Sequence, residues 1–485
     1  MIRRARVRTL RSATGLLFVS LLATGCGNRV PAPEVAEAGQ SPVTAVAPAP
    51  ESATTVPAIN TPAPGTDVRT VPQLPAPTVA GTAAPKTAVS KVNKPPAGKA
   101  PTGTGSGAAG TSSTKACPPG ASSITIGTIG AYSGVLGQAT KGGLQGVQTW
   151  VKYINARGGL SCHPIRLLAA DDSSDPARNQ AMHRQMVEDQ GAIAFVYEAS
   201  PLGSAGSKDY LNAHKIPVIG DVGGTNYFYE LPYFFPTYPL GLMIADFTVA
   251  AAAKVALPEG KKKLGFITCN EATLCTDADG VWAAVGPKVG FDVVYRGRGS
   301  LAQPDWTAQC LAAKNAGVEV LISLLTSEGH RRVAQNCASV GLKPIKVAET
   351  VQALVSWKDD PIMDNYVVGS PVAPWFSTSI PGVRDYQAQL KRFAPTVELG
   401  VQSLSGWTVG KHLELAGQNL PAGQVTGDDI LRGLWAIDGS TLNGLTTPIK
   451  QEQGKPAPRQ SCGWAITLRS GEWKQASDYF CRALG

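Results

Sequence analysis

The sequence predicts an α/β protein made of two Rossmann-like lobes with parallel sheets, behind a long segment that does not fold. Short apolar strands alternate with segments of helical period from residue 123 to 225, and the alternation returns from 264 to 348. The 369 residues from 117 to 485 also exceed one ordinary hydrophobic core, which favours two lobes.

The first lobe opens with a strand, a loop and a helix. Residues 124–129 are a β-branched run, and the glycine-rich stretch 130–143 predicts a loop after it. The helix that follows shows apolar residues on one face, at Leu144, Val147, Val151 and Ile154. Gly158-Gly159 ends this helix.

Three further strands follow, and the first two of them complete a β-α-β-α-β wind. Residues 165–170 are nearly all apolar, so we expect a strand that is covered on both faces. Asp175 and Pro176 predict the start of a helix that runs to about residue 190, and strands at 192–197 and 216–219 follow. Such a wind forms a parallel sheet whose loops gather at the carboxyl ends of the strands.

The second lobe repeats this pattern. Its predicted strands are 264–268, 292–295, 318–325 and 345–348, and its predicted helices are 277–289, 304–316 and 328–340. We expect the rest of the chain to complete the first lobe with a strand at 366–370 and helices at 382–393, 404–418 and 428–436.

Small and hydroxyl residues mark the loops at the carboxyl ends of the first-lobe strands. They are Ser133, Gly134, Ser200, Gly223, Gly224 and Thr225. Ligands of open α/β sheets bind at this edge, so these loops predict a binding site. Each residue is also an ordinary turn or cap residue, and that alternative stays open for each one taken singly.

Five short motifs then follow one another in a characteristic order: GAYSG, INARGGL, DDSSDPARN, a serine after the third strand and GGTN after the fourth. With these motifs the chain resembles the Leu/Ile/Val-binding family of solute-binding proteins, which have the type I periplasmic-binding fold. The similarity runs from about Ser122 to the C-terminus. It implies a three-segment hinge at about 235–241, 349–354 and 451–459, around which a cleft closes on a ligand.

The resemblance also implies lobe boundaries. We expect the first lobe to comprise residues 117–240 and 353–455, and the second to comprise 241–352 and 456–485.

The resemblance further implies roles for single residues. Ser200 stands where the family has a serine that binds the ligand carboxylate, and Gly223 and Thr225 match the next loop of its site. Glu328 lies within one residue of the family's acidic ligand for an ammonium group, although an acid in the first turn of a helix is common for other reasons. Asp221 is a second, weaker candidate for this role.

Two positions depart from the family pattern. Ala139 stands where the family has an aromatic residue, and the segment 269–275 lacks the family's tyrosine. Either the pocket is wider or other aromatic residues close it, such as Tyr132, Trp375 or Trp407. The fold and the transport role therefore carry over better than specificity for branched-chain amino acids.

The first 25 residues are predicted to be a targeting segment. A basic start is followed by an apolar core of about ten residues, which is too short to span a bilayer. Ala23-Thr24-Gly25-Cys26 is similar to a lipobox, which predicts a lipid on Cys26 and anchoring to the outer face of the membrane. An ordinary cleaved signal is the alternative.

Residues 26–116 are predicted to be a disordered tether. They are rich in Pro, Ala, Thr, Gly and Ser and nearly free of aromatic residues, so they cannot bury a core. The segment either lifts the folded part away from the membrane or is a spacer of no selected length.

The folded part is nearly neutral. Five of the 44 Lys and Arg residues lie in the targeting segment and seven in the tether, which leaves 32 basic against 31 acidic residues in 117–485. The overall net charge of +9 therefore gives no support for nucleic-acid binding, which requires a basic face on the folded domain.

Eight cysteines remain besides Cys26, and an even number in an exported chain suggests disulfides. The order of the predicted elements favours Cys117–Cys162, Cys269–Cys275, Cys310–Cys337 and Cys462–Cys481 among the many pairings. A metal site is the alternative, but the chain has no C-x-x-C motif and its five histidines are scattered.

Enzyme motifs are absent from the sequence. Gly127, Gly130 and Gly134 do not have the spacing of a dinucleotide-binding loop, and there is no P-loop, G-x-S-x-G or H-E-x-x-H. Asp171-Asp172 resembles a pair of catalytic carboxylates, but it also ends a strand in a turn. We therefore expect neither enzymatic activity nor a cofactor.

The sequence thus predicts the lipid-anchored binding component of an ABC importer, a monomer outside the cytoplasm. It is expected to trap an amino acid or a similar small polar solute between its lobes and to deliver the solute to a membrane permease. A ligand-sensing or cell-wall interaction protein, using the same cleft without transport, is the alternative class.

Overall fold

A computed structural model of the chain describes Cys117 and residues 121–221 and 226–484. These residues belong to one compact unit, 107–485. The targeting segment, the tether with Cys26, and the loop residues Gly223, Gly224 and Thr225 lie outside the described residues, so the statements about them stay predictions. None of the helices described is both long enough and apolar enough to cross a membrane.

Strands and helices alternate along most of the described chain. The strands are β1 (Ile124–Gly130), β2 (Ile165–Asp171), β3 (Ala194–Glu198), β4 (Val218–Asp221), β5 (Phe234–Phe235), β6 (Lys263–Cys269), β7 (Asp292–Gly299), β8 (Val320–Ser323), β9 (Ile345–Glu349), β10 (Tyr366–Ser370), β11 (Asp438–Ser440), β12 (Ile449–Lys450), β13 (Cys462–Arg469), β14 (Glu472–Gln475) and β15 (Phe480–Cys481). The helices are α1 (Gly137–Ala156), α2 (Pro176–Glu188), α3 (Lys208–Ala213), α4 (Leu242–Ala256), α5 (Thr273–Lys288), α6 (Thr307–Asn315), α7 (Ser327–Ser339), α8 (Pro381–Phe393), α9 (Val401–Ala416) and α10 (Gly427–Trp435).

The first sheet is parallel throughout. Its strands lie in the order β2-β1-β3-β4-β5, and the pairs are all parallel, which is the pairing that the β-α-β-α-β wind predicts. The side chain of Asp175 caps α2 by accepting the backbone N–H of Arg178. The expectation that residues 165–170 are covered on both faces is wrong. β2 has only β1 beside it, and an edge strand with one neighbour keeps most of its residues partly exposed.

The second sheet is mixed. Its strands lie in the order β14-β13-β10-β9-β8-β6-β7, and the pairs among β6 to β10 are parallel while β13 pairs antiparallel with both β10 and β14. The prediction that 366–370 completes the first lobe is therefore wrong. Three short 3-10 helices follow β9, and β10 then joins the same sheet beside β9. The crossing back to the first lobe consequently follows β10, whereas the sequence places it at 349–354.

The helices α1 and α4 differ from the sequence prediction for physical reasons. The predicted loop 130–143 is helical from Gly137, because its glycines pack closely against neighbouring elements. The helix α4 has no counterpart in the prediction. Eleven of its fifteen residues are buried, so its sequence lacks the polar face that reveals an amphipathic helix.

Four disulfides cross-link the described chain. They are Cys117–Cys162, Cys269–Cys275, Cys310–Cys337 and Cys462–Cys481, the pairs that the order of elements favours. The second of them closes the short connection between β6 and α5, which is important for the site described below.

Glycines allow α1 and α9 to approach each other closely in the first lobe. A Cβ atom added at Gly146 would lie 2.0 Å from the carbonyl oxygen of Ser403, and one added at Gly406 would lie 1.9 Å from the carbonyl oxygen of Gly143. Both obstructing atoms belong to helix backbones and cannot rotate away. The position of α1, which begins near the binding edge of the first sheet, therefore depends on these glycines.

We predict that Gly406→Ala lowers the free energy of unfolding by about 2 to 3 kcal/mol, because the methyl group forces the two helices apart. Gly280→Ala in α5 is the control, since a Cβ atom there meets nothing within 4 Å. It should raise the free energy of unfolding by about 0.5 to 1 kcal/mol through helix propensity. Urea unfolding of both variants measures these changes, and a Gly406→Ala protein as stable as the wild type would contradict the close contact.

Candidate functional site

A cavity of about 90 Å³ lies between the two sheets. Its first-lobe wall comes from residues 136–140, where α1 begins, and from Pro201 and Leu202, which follow β3. Its second-lobe wall comes from loops after β6, β7, β8 and β9. The carboxyl ends of parallel strands from both sheets thus meet at one place, which is where open α/β sheets bind ligands.

The cavity wall is mostly apolar. Six leucines contribute to it: Leu136, Leu202, Leu274, Leu301, Leu324 and Leu325. Ala139 and the Cys269–Cys275 disulfide also line it, and these are the two places where the sequence departs from the family's aromatic residues. The disulfide closes the loop that carries Ala272, another lining residue. A bound solute must therefore present a largely apolar surface.

Hydroxyl groups in the wall are engaged with the backbone. The hydroxyl of Thr140 donates to the carbonyl oxygen of Ala131 at 2.5 Å, and that of Ser327 donates to the carbonyl oxygen of Gln352 at 2.5 Å. The hydroxyl oxygen of Thr326 accepts the N–H of Gly329 at 3.0 Å and caps α7. These groups position the loops of the wall.

Glu349 is the one ionisable side chain among the described lining residues. It ends β9 and is 8% exposed. Removal from water raises the pKa of its carboxyl group to about 8, because burial disfavours the charged form. The site without a bound solute therefore holds a neutral carboxylic acid at pH 7.

A hydrogen-bond network fixes the backbone around Glu349. The side-chain oxygen of Gln352 accepts the N–H of Glu349 at 3.1 Å and lies 3.0 Å from Nε2 of His330. Burial lowers the pKa of His330 to about 4, so its imidazole is neutral at pH 7. Nε2–H then donates to Gln352, and Nδ1 is left as the acceptor for the Tyr366 hydroxyl at 3.3 Å.

The predicted site residues lie at different distances from this cavity. Ser200 is fully buried beside the lining residues Pro201 and Leu202, and its hydroxyl oxygen accepts the N–H of Gly203 at 3.2 Å. Ser133 is exposed and bonds to the carboxylate of Asp171. Neither serine lines the cavity, so their contact with a ligand stays a prediction.

Glu328, the acid predicted to bind the solute from the second lobe, does not line the cavity. Glu328 is exposed and forms an ion pair with Arg332 at 3.4 Å on the surface of α7, while its neighbour Ser327 lines the cavity. Glu349 is the acidic residue of the second lobe that lines the cavity. The available signal was an acid at the end of a buried strand, but the expected crossing at 349–354 obscured it.

None of the three aromatic candidates lines the cavity. The hydroxyl of Tyr132 bonds to that of Thr128 at 2.8 Å. The ring of Trp375 packs on Trp473, and that of Trp407 packs on Tyr153. The wall is closed by leucines and by the disulfide instead.

The fold and this cavity define a two-lobed α/β solute-binding protein. The sequence profile of the periplasmic binding proteins matches residues 123–469. The chain belongs to this family, whose members are extracytoplasmic solute-binding proteins and not enzymes. The family and the type I fold predicted from the sequence are thereby confirmed.

Solved structures with similar folds share little sequence with this chain. A "possible leucine/isoleucine/valine-binding protein" from Rhodopirellula baltica is 19% identical with a TM-score of 0.64, over 74% of this chain and 98% of its own. A fatty acid ABC transporter substrate-binding protein from Thermomonospora curvata is 16% identical with a TM-score of 0.63, over 74% and 92%.

A third similar structure is a branched-chain amino acid transporter substrate-binding protein from Streptococcus pneumoniae in complex with isoleucine. It is 14% identical with a TM-score of 0.60, over 74% of this chain and 99% of its own. Among curated proteins, no sequence matches significantly.

We predict that Glu349→Gln stabilises the protein increasingly as the pH rises from 4.5 to 7. The folded pKa of about 8 lies above the ordinary value of 4.5, so the folded state holds a proton that the unfolded state releases in this window. The wild type therefore loses stability as the pH rises, and the variant does not lose this part. Its advantage should grow by about 3 kcal/mol between pH 4.5 and 7.

Denaturant unfolding at several pH values measures this difference. Glu328→Gln is the matched control, because Glu328 is exposed and should show no comparable growth. A Glu349→Gln advantage that stays constant with pH would mean that Glu349 is ionised in the folded protein.

Proposed function

We propose that the protein is the solute-binding component of an ABC importer. The supporting observation is the cavity whose wall comes from loops of both sheets. Membership of the periplasmic binding protein family is consistent with this role, and the similar structures include substrate-binding proteins of ABC transporters. The partner is then a membrane permease, to which the loaded protein delivers its solute.

Solute capture follows from the two-walled cavity. A solute that touches both walls binds best when the lobes are closed, so its binding shifts the population towards the closed form. Between the sheets the chain crosses after β5, after β10 and before β13. These three segments serve as the hinge.

The anchor and the remaining site residues belong to the same proposal. A lipid on Cys26 holds the protein on the outer face of the membrane, and residues 26–116 act as the tether. Ser200 and the loop with Gly223, Gly224 and Thr225 approach the solute from the first lobe when the lobes close. The protein acts as a monomer.

The first test fills the cavity. Leu202→Trp places a larger side chain in the wall, so we expect it to abolish the thermal stabilisation that a bound solute gives to the wild type. The probes are a panel of amino acids, small amides, aliphatic amines and small aromatic acids, measured by thermal unfolding. Ala312→Phe on the exposed face of α6 is the control and should retain the stabilisation.

Stabilisation that persists in Leu202→Trp would place the solute elsewhere and contradict the proposed site. Transport is tested separately, by uptake of the stabilising compound in cells that lack the protein. Import predicts loss of uptake, whereas undiminished uptake would favour the sensing or cell-wall alternative.

A further inference from the structure

We propose that the second lobe holds a further ligand site, which binds a small monocarboxylate with an apolar body and pairs its carboxylate with the ammonium group of Lys346. The site goes beyond the proposed solute-binding function, because it lies in a different cavity. Three observations support it: the size and position of that cavity, its apolar wall, and the hydrogen-bonding and charge of Lys346.

This second cavity lies between α7 and the second sheet and has a volume of about 430 Å³. Its wall comes from β8, from the later half of α7, from the loop between α7 and β9, and from residues 361–365 before β10. Lys346 is near the amino end of β9, whereas Glu349 ends that strand in the cavity between the sheets. The two cavities therefore lie at opposite ends of β9. Small-molecule sites have volumes of about 300 to 1,000 Å³, so the second cavity is large enough for a ligand.

The wall of the second cavity is mainly apolar. Leu321, Val333 and Cys337 are buried in it, and Cys337 is joined by a disulfide to α6. Lys343 and Pro361 are exposed, so the cavity opens to solvent on their side. A ligand with a hydrocarbon body gains free energy when that body leaves water for such a wall.

The ammonium group of Lys346 can form more hydrogen bonds than the protein gives it. It is partly buried, donates to the carbonyl oxygen of Ile362 at 2.8 Å and lies 5.2 Å from the centre of the Tyr366 ring. An ammonium group has three N–H donors, so two remain for a ligand. Burial lowers the pKa of Lys346 to about 8, because the charged form is unfavourable away from water. A bound anion would stabilise that charged form.

Two acids lie close enough to attract Lys346, but each is bonded to another group. Asp360 forms an ion pair with Arg331 at 2.8 Å, and the carboxylate of Asp364 accepts the N–H of Gly471 at 3.4 Å. Among the described residues, neither acid forms an ion pair with Lys346. The described wall carries two lysines, at 343 and 346, against the single acid Asp364, and this excess of positive charge favours an anion.

The number of charges limits the class of anion. A dianion such as phosphate would bring a second negative charge into an apolar wall and lose its hydration there without a partner. A carboxylate brings one charge, and its two oxygens can accept both remaining N–H groups of Lys346. The site therefore fits a monocarboxylate whose remaining atoms are apolar.

The pairing also determines how the affinity depends on pH. Lys346 loses its charge as the pH rises through about 8, and a carboxylate binds the charged form, so the affinity falls above that pH. The other titratable or charged groups on this side of β9 are Lys343 and Asp364 in the wall, the Asp360–Arg331 pair, His330 on α7 and the hydroxyl of Tyr366 on β10. Burial lowers the pKa of His330 to about 4, so it stays neutral over the range tested.

The experiment uses hexanoate as the probe and hexan-1-ol, hexylamine and acetate as matched compounds. Isothermal titration of the full chain gives their affinities at pH 7.5 and pH 9. The wild type is compared with Lys346→Met, which removes the charge, and with Lys346→Arg, which keeps it. Lys314→Met is the control, because the ammonium group of Lys314 donates to the carbonyl oxygen of Val340 at 2.7 Å but is exposed and outside the cavity wall.

We expect the wild type and Lys314→Met to bind hexanoate at least about tenfold more tightly than hexan-1-ol or acetate. Lys346→Met should lose at least about tenfold in affinity for hexanoate, while its affinity for hexan-1-ol changes less than about threefold. Between pH 7.5 and pH 9 the affinity of the wild type for hexanoate should fall at least about threefold. That of Lys346→Arg should change less than about twofold, because arginine stays charged. This comparison does not depend on the stability of Lys346→Met.

Undiminished hexanoate binding by Lys346→Met, a preference for hexylamine, or no binding of hexanoate would overturn the inference. Hexanoate binding that is lost in Leu202→Trp but kept in Lys346→Met would place hexanoate between the lobes, which also overturns the inference and leaves the solute-binding function in place. Conversely, solute stabilisation that persists in Leu202→Trp contradicts the proposed function and leaves the site at Lys346 unaffected.

Discussion

Parallel strand pairing is the constraint on which the rest of this structure depends. Parallel neighbours require crossover connections, so the loops that follow successive strands emerge along one edge of a sheet. The loops after β1 and β3 in the first sheet and those after β6, β7, β8 and β9 in the second follow this rule, and together they form the cavity wall. The antiparallel strands β13 and β14 contribute no residue to the described wall. The topology therefore determines where the site lies, and individual side chains determine its chemical character.

At the carboxyl end of β9, Glu349 is unfavourable for folding. A carboxyl group buried among leucines must stay protonated at neutral pH, and this lowers the stability of the protein without its solute. Its backbone is nevertheless held firmly, since Gln352 accepts its N–H and is bonded in turn to His330. A destabilising group that is positioned by a network of neutral partners is typical of a functional site, where proteins keep residues that do not favour stability.

The sequence predicted the local features of the fold well. Asp175 and Pro176 mark the start of α2, and the bounds of β10 were predicted to the residue. The sheet to which β10 belongs was not predicted, because its partner β9 is separated from it by a run of 3-10 turns and pairing over that distance leaves no periodic signal. The helix α4 was missed for the opposite reason, since a buried helix without a polar face shows no amphipathic pattern.

The candidate site was likewise predicted only in part. Loop composition pointed to the edge of the first sheet at which the cavity lies, but Pro201 and Leu202 line the cavity while the hydroxyl oxygen of Ser200 accepts the N–H of Gly203. On the second lobe the position at the start of α7 was found, yet the cap by Thr326 turns Ser327 towards the cavity and Glu328 towards Arg332. The direction of a side chain in a loop depends on turn geometry and on distant partners, which residue types alone do not encode.

The most direct test of the central claim is a crystal structure of the protein with a stabilising solute bound. The account predicts electron density for the solute between Ala139 and Leu202 on one side and Leu324 and Glu349 on the other. Solute density at any other position, or lobes whose strand ends do not face each other across the solute, would contradict it.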